Sequence, residues 1–283
     1  MIDILYKNVR KFIKGLRSLM KPSSNEKIGF YVCALVDVLG QKEELLKLDE
    51  IPSVKEEDEK STKIFRNAYG RVKQLRQQII ESSAYFNSTS VRCIDSPIIK
   101  HTFFSDLIVM YLSLSKDDSQ LDICRLKHML LSLSDVFLEM LSRGIPLRGG
   151  IDIGLAIASP DGQLYGRALS KAYDLESNVA SSIRIVIGQE LYDFLELASQ
   201  DTDENRSDDA KFCKALITQD TDGVYILDYL SKLFQDLPSF KSLRSEAESF
   251  LTTENNKYRR HGNYKVAKKY SDALKYFQKN LSE

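Results

Sequence analysis

The sequence has no net charge: 40 lysines and arginines stand against 40 aspartates and glutamates. That balance excludes a chain that works mainly by coating nucleic acid and leaves room only for a local basic patch. The basic and aromatic tail segment KYRRHGNYKVAKKY (257–270) reads as a solvated helical face, and no nucleic-acid partner is expected. Closely spaced cysteines are also missing. Cys33, Cys93, Cys124 and Cys213 form no CxxC pair and no zinc-ribbon spacing, so all four read as reduced thiols. His101, His128 and His261 lie far apart and show no metal-ligand spacing. No stretch of roughly 18 uncharged apolar residues exists, so no transmembrane segment is expected. The opening MIDILYKNVRKFIKGLRSLM has no continuous apolar core of a signal peptide, and a cytoplasmic protein is expected. Fixed-period repeats and low-complexity tracts are absent too. What remains is an ordinary globular composition, with 43% hydrophobic and 28% charged residues in 283. That length suits one or two domains.

Near the start, Ile2, Leu5, Val9, Phe12, Leu16 and Met20 repeat at the three-and-four spacing of one helix face. Lysines and arginines at 7, 10, 11, 14, 17 and 21 fill much of the rest. A helix docked on its own domain is the preferred reading of residues 1–24, and a membrane-surface helix is the alternative. Residues 28–39 (IGFYVCALVDVL) read as a strand buried on both faces, interrupted by Asp37. Ile64, Ala68, Val72, Leu75 and Ile79 predict a long helix from Ser61 to about Phe86. The segment 97–115 reads as two antiparallel strands turning at Ser105-Asp106. A second long helix is predicted over about 119–143, closed by Gly144 and Pro146. A glycine-rich strand (147–158), a helix (166–181), a strand (183–187) and a helix (188–199) follow. Asp220-Thr-Asp-Gly then marks a hairpin. The order β-α-β-β-α-β, then α-β, predicts an α/β fold with the ferredoxin-like split βαβ arrangement. Helices cover one face of its sheet. The expected organisation is an N-terminal helix (1–24), a central domain (25–230) and a C-terminal helical extension (231–283).

Two carboxylates carry the first chemical signal. Asp37 interrupts a buried strand, where an unpaired charge is costly. Asp106 interrupts a second apolar run, on a strand the topology makes a neighbour. Two close carboxylates repel and call for a cation. Hard oxygen ligands suit Mg²⁺ or Mn²⁺, which bind through carboxylates together with substrate phosphates, so the pair predicts a nucleoside triphosphate site. The plainer reading is two aspartates capping turns. Arg148 opens the glycine-rich strand and can present a planar fork to phosphate oxygens; the plainer reading is a surface arginine. The glycines after it let backbone or ligand approach closely. Gly166 precedes a helix whose N-terminus favours anions, a common feature by itself. Asp152 reads as solvent-facing, and Tyr165 and Tyr173 read as packing residues.

The pieces ALVDVLG (34–40), FFSDLIVMYL (103–112), PLRGGIDIG (146–154), LYGRALSKAYDLES (164–177), IRIVIG (183–188) and DGVYILDYL (222–230) together resemble the class III nucleotide cyclase catalytic domain. The closest likeness is to the bacterial pyrimidine cyclases of Pycsar antiphage systems. No single piece is diagnostic; six in order, over about residues 28–230, are specific to that fold. The resemblance implies that Asp37 and Asp106 bind two divalent ions, that Val38 lends a backbone carbonyl, and that Arg148 binds phosphate. It implies a head-to-tail homodimer whose subunits complete each other's sites. It also implies a cyclic nucleotide second messenger that acts on a separate effector in antiphage defence.

The sequence departs from the family in one helix. Adenylyl and guanylyl cyclases carry an asparagine and a transition-state arginine where Ser170 and Asp174 stand here. Arg167, Lys171 and Arg184 are the nearby candidates to supply the missing positive charge. The positions that read adenine hold Thr102 and Gln163, a hydroxyl and an amide suited to a pyrimidine edge. The resulting expectation is a uridylate cyclase that converts UTP to 3′,5′-cyclic UMP and pyrophosphate. A cytidylate cyclase acting on CTP is the alternative, and a catalytically silent nucleotide-binding scaffold is the alternative of another class.

Overall fold

The computed structural model describes residues 11–19, 26–41, 45–46, 55–88, 99–117 and 120–280. Residues 11–19 are helical (α1). Then come β1 (Lys27–Val38), α2 (Lys55–Ser88), the hairpin β2 (Lys100–Phe104) and β3 (Leu107–Ser113), a small separate hairpin β4 (Ser115–Asp117) and β5 (Gln120–Leu121), and α3 (Ile123–Ser142). They are followed by β6 (Leu147–Ala158), β7 (Leu164–Gly166), α4 (Arg167–Asp174), a π-helical turn (Leu175–Val179), β8 (Ile185–Ile187), α5 (Gln189–Ala198) and α6 (Glu204–Lys214). The hairpin β9 (Ile217–Gln219) and β10 (Tyr225–Leu227) precedes α7 (Phe240–Arg260) and α8 (Tyr264–Lys279).

These elements make a mixed α/β structure around an eight-stranded, mostly antiparallel sheet. Its order is β2-β3-β1-β6-β8-β10-β9, with β7 paired to β6. β1 lies antiparallel between β3 and β6, and the β6–β8 pair is parallel. Side chains alternate along a strand. Val32, Ala34, Val36 and Val38 therefore enter one core, while Tyr31, Cys33 and Leu35 enter a smaller one on the opposite face. Cover on both sides explains why β1 carries no polar side chain that breaks its apolar run from Ile28 to Val36.

The larger core packs Leu75 and Ile79 of α2 and Leu126, Leu130 and Phe137 of α3 against the sheet. Phe240, Leu251, Tyr276 and Phe277 of α7 and α8 join it, so the helices expected as an extension share the central core. On the other face α4 lies on β6 through Ala168 and Ala172. Glycine makes this approach possible. A Cβ on Gly150 would fall 2.5 Å from Leu175 Cβ and 2.6 Å from the Ala172 carbonyl oxygen; one on Gly154 would fall 2.9 Å from the Ala168 nitrogen. Gly150 and Gly154 thus admit a helix, while a Cβ on Gly149 would fall 2.6 Å from the Leu35 carbonyl oxygen of the neighbouring strand.

Several expectations are corrected. The helix predicted to 181 ends as α4 at Asp174 and widens into the π turn. α6, β4, β5 and β7 were not anticipated. α6 buries only Ser207, Ala210 and Cys213 and so lacks a strong apolar stripe. Cys33 and Cys213 are free and buried, but Cys124 is disulfide-bonded, so the four cysteines are not all thiols and give no argument for a reducing compartment. Cys93 lies outside the described residues. α1 docks through Ile13 and an Arg17 Nη2 hydrogen bond to the Ile28 carbonyl oxygen at 2.9 Å, not through the predicted stripe, whose Phe12 is exposed. The rest of that predicted helix lies outside the described residues. Among the described residues no helix is long and apolar enough to cross a membrane.

Gly150→Ala should destabilise the fold by about 2 kcal/mol or more, because backbone and packed side chain block the new methyl. Gly70→Ala in α2, where nothing lies within 4 Å, should stabilise by up to about 1 kcal/mol. Denaturant titration of the two variants checks the contrast, and equal effects would contradict the packing described.

Candidate functional site

The end of the sheet at which β1 finishes gathers the charged groups. Antiparallel pairing sets Asp37 opposite Leu107 on one side and Arg148 on the other. Phe104 pairs with Leu107, so Ser105 and Asp106 form a tight turn at that same end. The two aspartates therefore stand on adjacent strands at one edge, as the sequence predicted. Ser105 holds φ at 55°, in the left-handed region unfavourable for a residue with a Cβ. The turn is tied down from α2: Arg76 Nη2 donates to the Ser105 carbonyl oxygen at 2.6 Å, and its guanidinium lies 5.1 Å from the Phe103 ring centre.

Arg148 shares the face of Asp37. Its Nε and Nη2 donate to Asp37 Oδ2 at 3.2 and 3.1 Å. The same Nη2 lies 2.7 Å from Glu176 Oε1, an ion contact without an aligned hydrogen bond. Glu176 is 3% exposed and sits in the π turn. Its other oxygen accepts from Ser177 Oγ at 2.8 Å. Such wide turns often mark functional positions. Descent of α4 onto Gly150 brings this turn to Arg148. Sequence reading missed Glu176, because a helix continued to 181 gives it no distinguishing position. Burial pushes the Asp37 carboxyl up to about 6. Arg148 opposes that shift, while the negative charges of Asp106 and Glu176 add to it.

The remaining predicted residues divide into groups. Val38 buries its side chain in the larger core, leaving only its backbone for the role the resemblance implies. Thr102 pairs with Val109, which joins through Leu35 to Gly150, so it lies on the face of Asp37 and Arg148 and two residues along. Its Oγ1 donates to the Gly162 carbonyl oxygen at 3.0 Å, as does Tyr111 Oη at 2.7 Å. Thr102 thereby meets the turn that carries the exposed Gln163. Ser170 is exposed and donates to the Gly166 carbonyl oxygen at 3.3 Å; Asp174 is exposed as well.

The three candidate cations have carboxylate partners. Arg167 and Lys171 both pair with Glu190, and Lys171 Nζ lies 3.4 Å from Asp152. Arg184 is buried between Asp220 at 2.7 Å and Asp222 at 2.8 Å. Asp152 is buried rather than solvent-facing: it accepts from Ile153 N at 2.8 Å and Leu191 N at 2.9 Å, capping α5 across the structure. Tyr165 and Tyr173 are exposed and do not pack as expected.

A divalent ion fits the donor set at Asp37 and Asp106. Carboxylate oxygens are hard ligands, and one guanidinium here faces the negative charges of Asp37 and Glu176 with Asp106 beside them. Among the described residues no group of three or more His, Cys, Asp or Glu converges to hold a metal alone, so water and substrate oxygens would complete the shell. Comparison with protein-family models finds no match, and comparison with curated proteins finds none.

The raised Asp37 makes the metal-free protein lose stability as pH rises from about 4 through about 6, because the folded state holds the proton more tightly. Asp37→Asn should remove that loss. It should stabilise by roughly 2 to 3 kcal/mol at pH 8 and by little at pH 4, as read by urea unfolding in chelator. Ser105→Gly should add about 1 kcal/mol by relieving the left-handed turn residue. A neutral or negative change in its melting temperature would show that the turn carries no strain.

Proposed function

We propose that this chain is a metal-dependent nucleotide cyclase acting on a pyrimidine nucleoside triphosphate, with UTP the first choice and CTP the alternative. The observation that carries the reading is the meeting of Asp37 and Asp106 at one end of adjacent strands, with Arg148 on the next strand. The strand order β2-β3-β1-β6, antiparallel throughout and with α2 and α3 as the connecting helices, supports the ferredoxin-like cyclase arrangement.

Bound divalent ions would lower the pKa of the ribose 3′-hydroxyl and neutralise the triphosphate. Asp37 and Asp106 would hold them, with the Val38 carbonyl as a further oxygen. Arg148, tethered by Glu176, would turn its remaining donors toward phosphate oxygens and stabilise the charge that builds there. Attack of the 3′-oxygen on the α-phosphorus releases pyrophosphate and closes the 3′,5′-cyclic ester. Thr102 and Gln163 offer a hydroxyl and an amide in place of the lysine and carboxylate that the resemblance assigns to purine reading, and this supports a pyrimidine. Phe104 and Tyr173 are exposed on the α4 side of the sheet and suit a homodimer in which each subunit completes the other's site. A second-messenger role in antiphage defence, acting through a separate effector, follows from the resemblance alone.

A second reading, a nucleotide-binding scaffold without turnover, draws on a specific observation. Arg167, Lys171 and Arg184 are each engaged with carboxylates, and Asp174 stands where the family places an arginine. Incubation of purified protein with Mn²⁺ and each of the four ribonucleoside triphosphates separates the two readings. Cyclic UMP or cyclic CMP with pyrophosphate is expected, and Asp37→Ala or Asp106→Ala should fold and make neither. A preference for ATP or GTP overturns the pyrimidine assignment. Product from either folded variant overturns the metal assignment, and no product from the parent protein supports the scaffold.

A further inference from the structure

The outward face of α1 is independent of the site above. A helix turns 100° per residue, so Phe12, Leu16 and Leu19 fall within an arc of about 60°. Among the described residues this arc is open at Phe12 and Leu19 and half-buried at Leu16. Phe12 is 58% exposed and Leu19 83%, whereas Ile13, a quarter-turn away, is 8% exposed and anchors the helix. Lys11, Phe12, Gly15, Leu16 and Leu19 line a shallow groove along the ridge. Lys11 and Lys14 are exposed. The sequence before α1 continues the same apolar spacing with Ile2, Leu5 and Val9, and residues 1–21 hold Lys7, Arg10, Lys11, Lys14, Arg17 and Lys21 against the single acid Asp3.

We propose that α1 lays its Phe12-Leu16-Leu19 ridge into the surface of an anionic bilayer, with its lysines against the headgroups. An exposed apolar ridge alone would suit many partners; the basic excess selects a negatively charged one. The pairing of bulky apolar residues on one face with lysine and arginine on the rest is the pattern of helices that lie in the membrane interface. Ile13 and the Arg17 hydrogen bond to β1 keep α1 on the domain, so lipid binding would hold the whole protein at the surface.

Sedimentation of the full chain with phosphatidylcholine vesicles, with and without phosphatidylglycerol, tests this. Binding is expected only to the anionic vesicles and should weaken in high salt. The double variants Phe12→Ser with Leu19→Ser, and Lys11→Glu with Lys14→Glu, should each lower partition about tenfold without changing the melting temperature, since all four side chains are exposed. Absence of vesicle binding by the parent protein, or equal binding by the apolar double variant, overturns the proposal. So does a dimer in light scattering that the apolar variant dissociates while vesicles bind neither form. Retention of labelled RNA in place of vesicles would likewise overturn it.

Discussion

One guanidinium holds the end of the sheet together. Arg148 lies between Asp37 on the neighbouring strand and Glu176 on the turn after α4, and Asp106 adds its charge from the adjacent hairpin. Without Arg148, the negative groups would face one another in a partly desolvated corner, where their repulsion is poorly screened. With it, the corner still holds more negative than positive charge. The structure tolerates this by keeping Asp37 easily protonated, which costs stability at neutral pH. A cation recruited there would offset the excess charge, and this connects the electrostatics to the proposed chemistry.

Backbone geometry delivers the groups to that corner. Strand register alone sets Asp37 level with Arg148. Asp106 depends on a tight turn with a strained Ser105, fastened by Arg76 from the helix layer behind the sheet. Glu176 depends on α4 lying close enough to β6 for its final turn to reach Arg148, and the glycines at 150 and 154 allow that depth. Two different elements thus converge on Arg148, and Asp106 stands near enough to Asp37 for its charge to act there. Strain at Ser105 and the π turn at Glu176 both fall beside the carboxylates, and such departures from regular geometry cluster at functional positions.

The other cations near the sheet have settled roles. Arg184 joins the β9–β10 hairpin to the strand before it, and Lys171 with Arg167 ties α4 to the start of α5 through Glu190. The buried Arg184–Asp220 pair is costly to break, since removal of one partner leaves an uncompensated charge, whereas the Arg167–Glu190 pair is solvent-exposed. Under the proposed function, positive charge for a phosphate would come from Arg148 or from a second subunit. The exposed aromatic residues on the α4 side of the sheet are consistent with the latter.

Much of the architecture was legible in the residues. The near-continuous apolar run IGFYVCALVDVL, the three-and-four stripes of α2 and α3, the Ser105-Asp106 turn and the Asp220-to-Gly223 hairpin each follow from local patterning and turn chemistry. Those elements in that order already bring Asp37 and Asp106 to one edge; the β1–β6 register adds Arg148. Features with weak local signals were not legible: polar α6, three-residue β7, the engagement of Cys124 and the outward face of α1. Periodicity identifies which residues form a stripe, but not which stripe another element will cover. The sequence by itself determined strands β1, β2, β3 and β6 and the two carboxylates at their ends, because apolar patterning and turn chemistry are local properties of the chain. Only the tertiary structure decided that Glu176 reaches Arg148, that Asp152 is buried as a cap and that Phe12 faces outward. Those outcomes depend on how closely separate elements approach, and no residue encodes that distance alone.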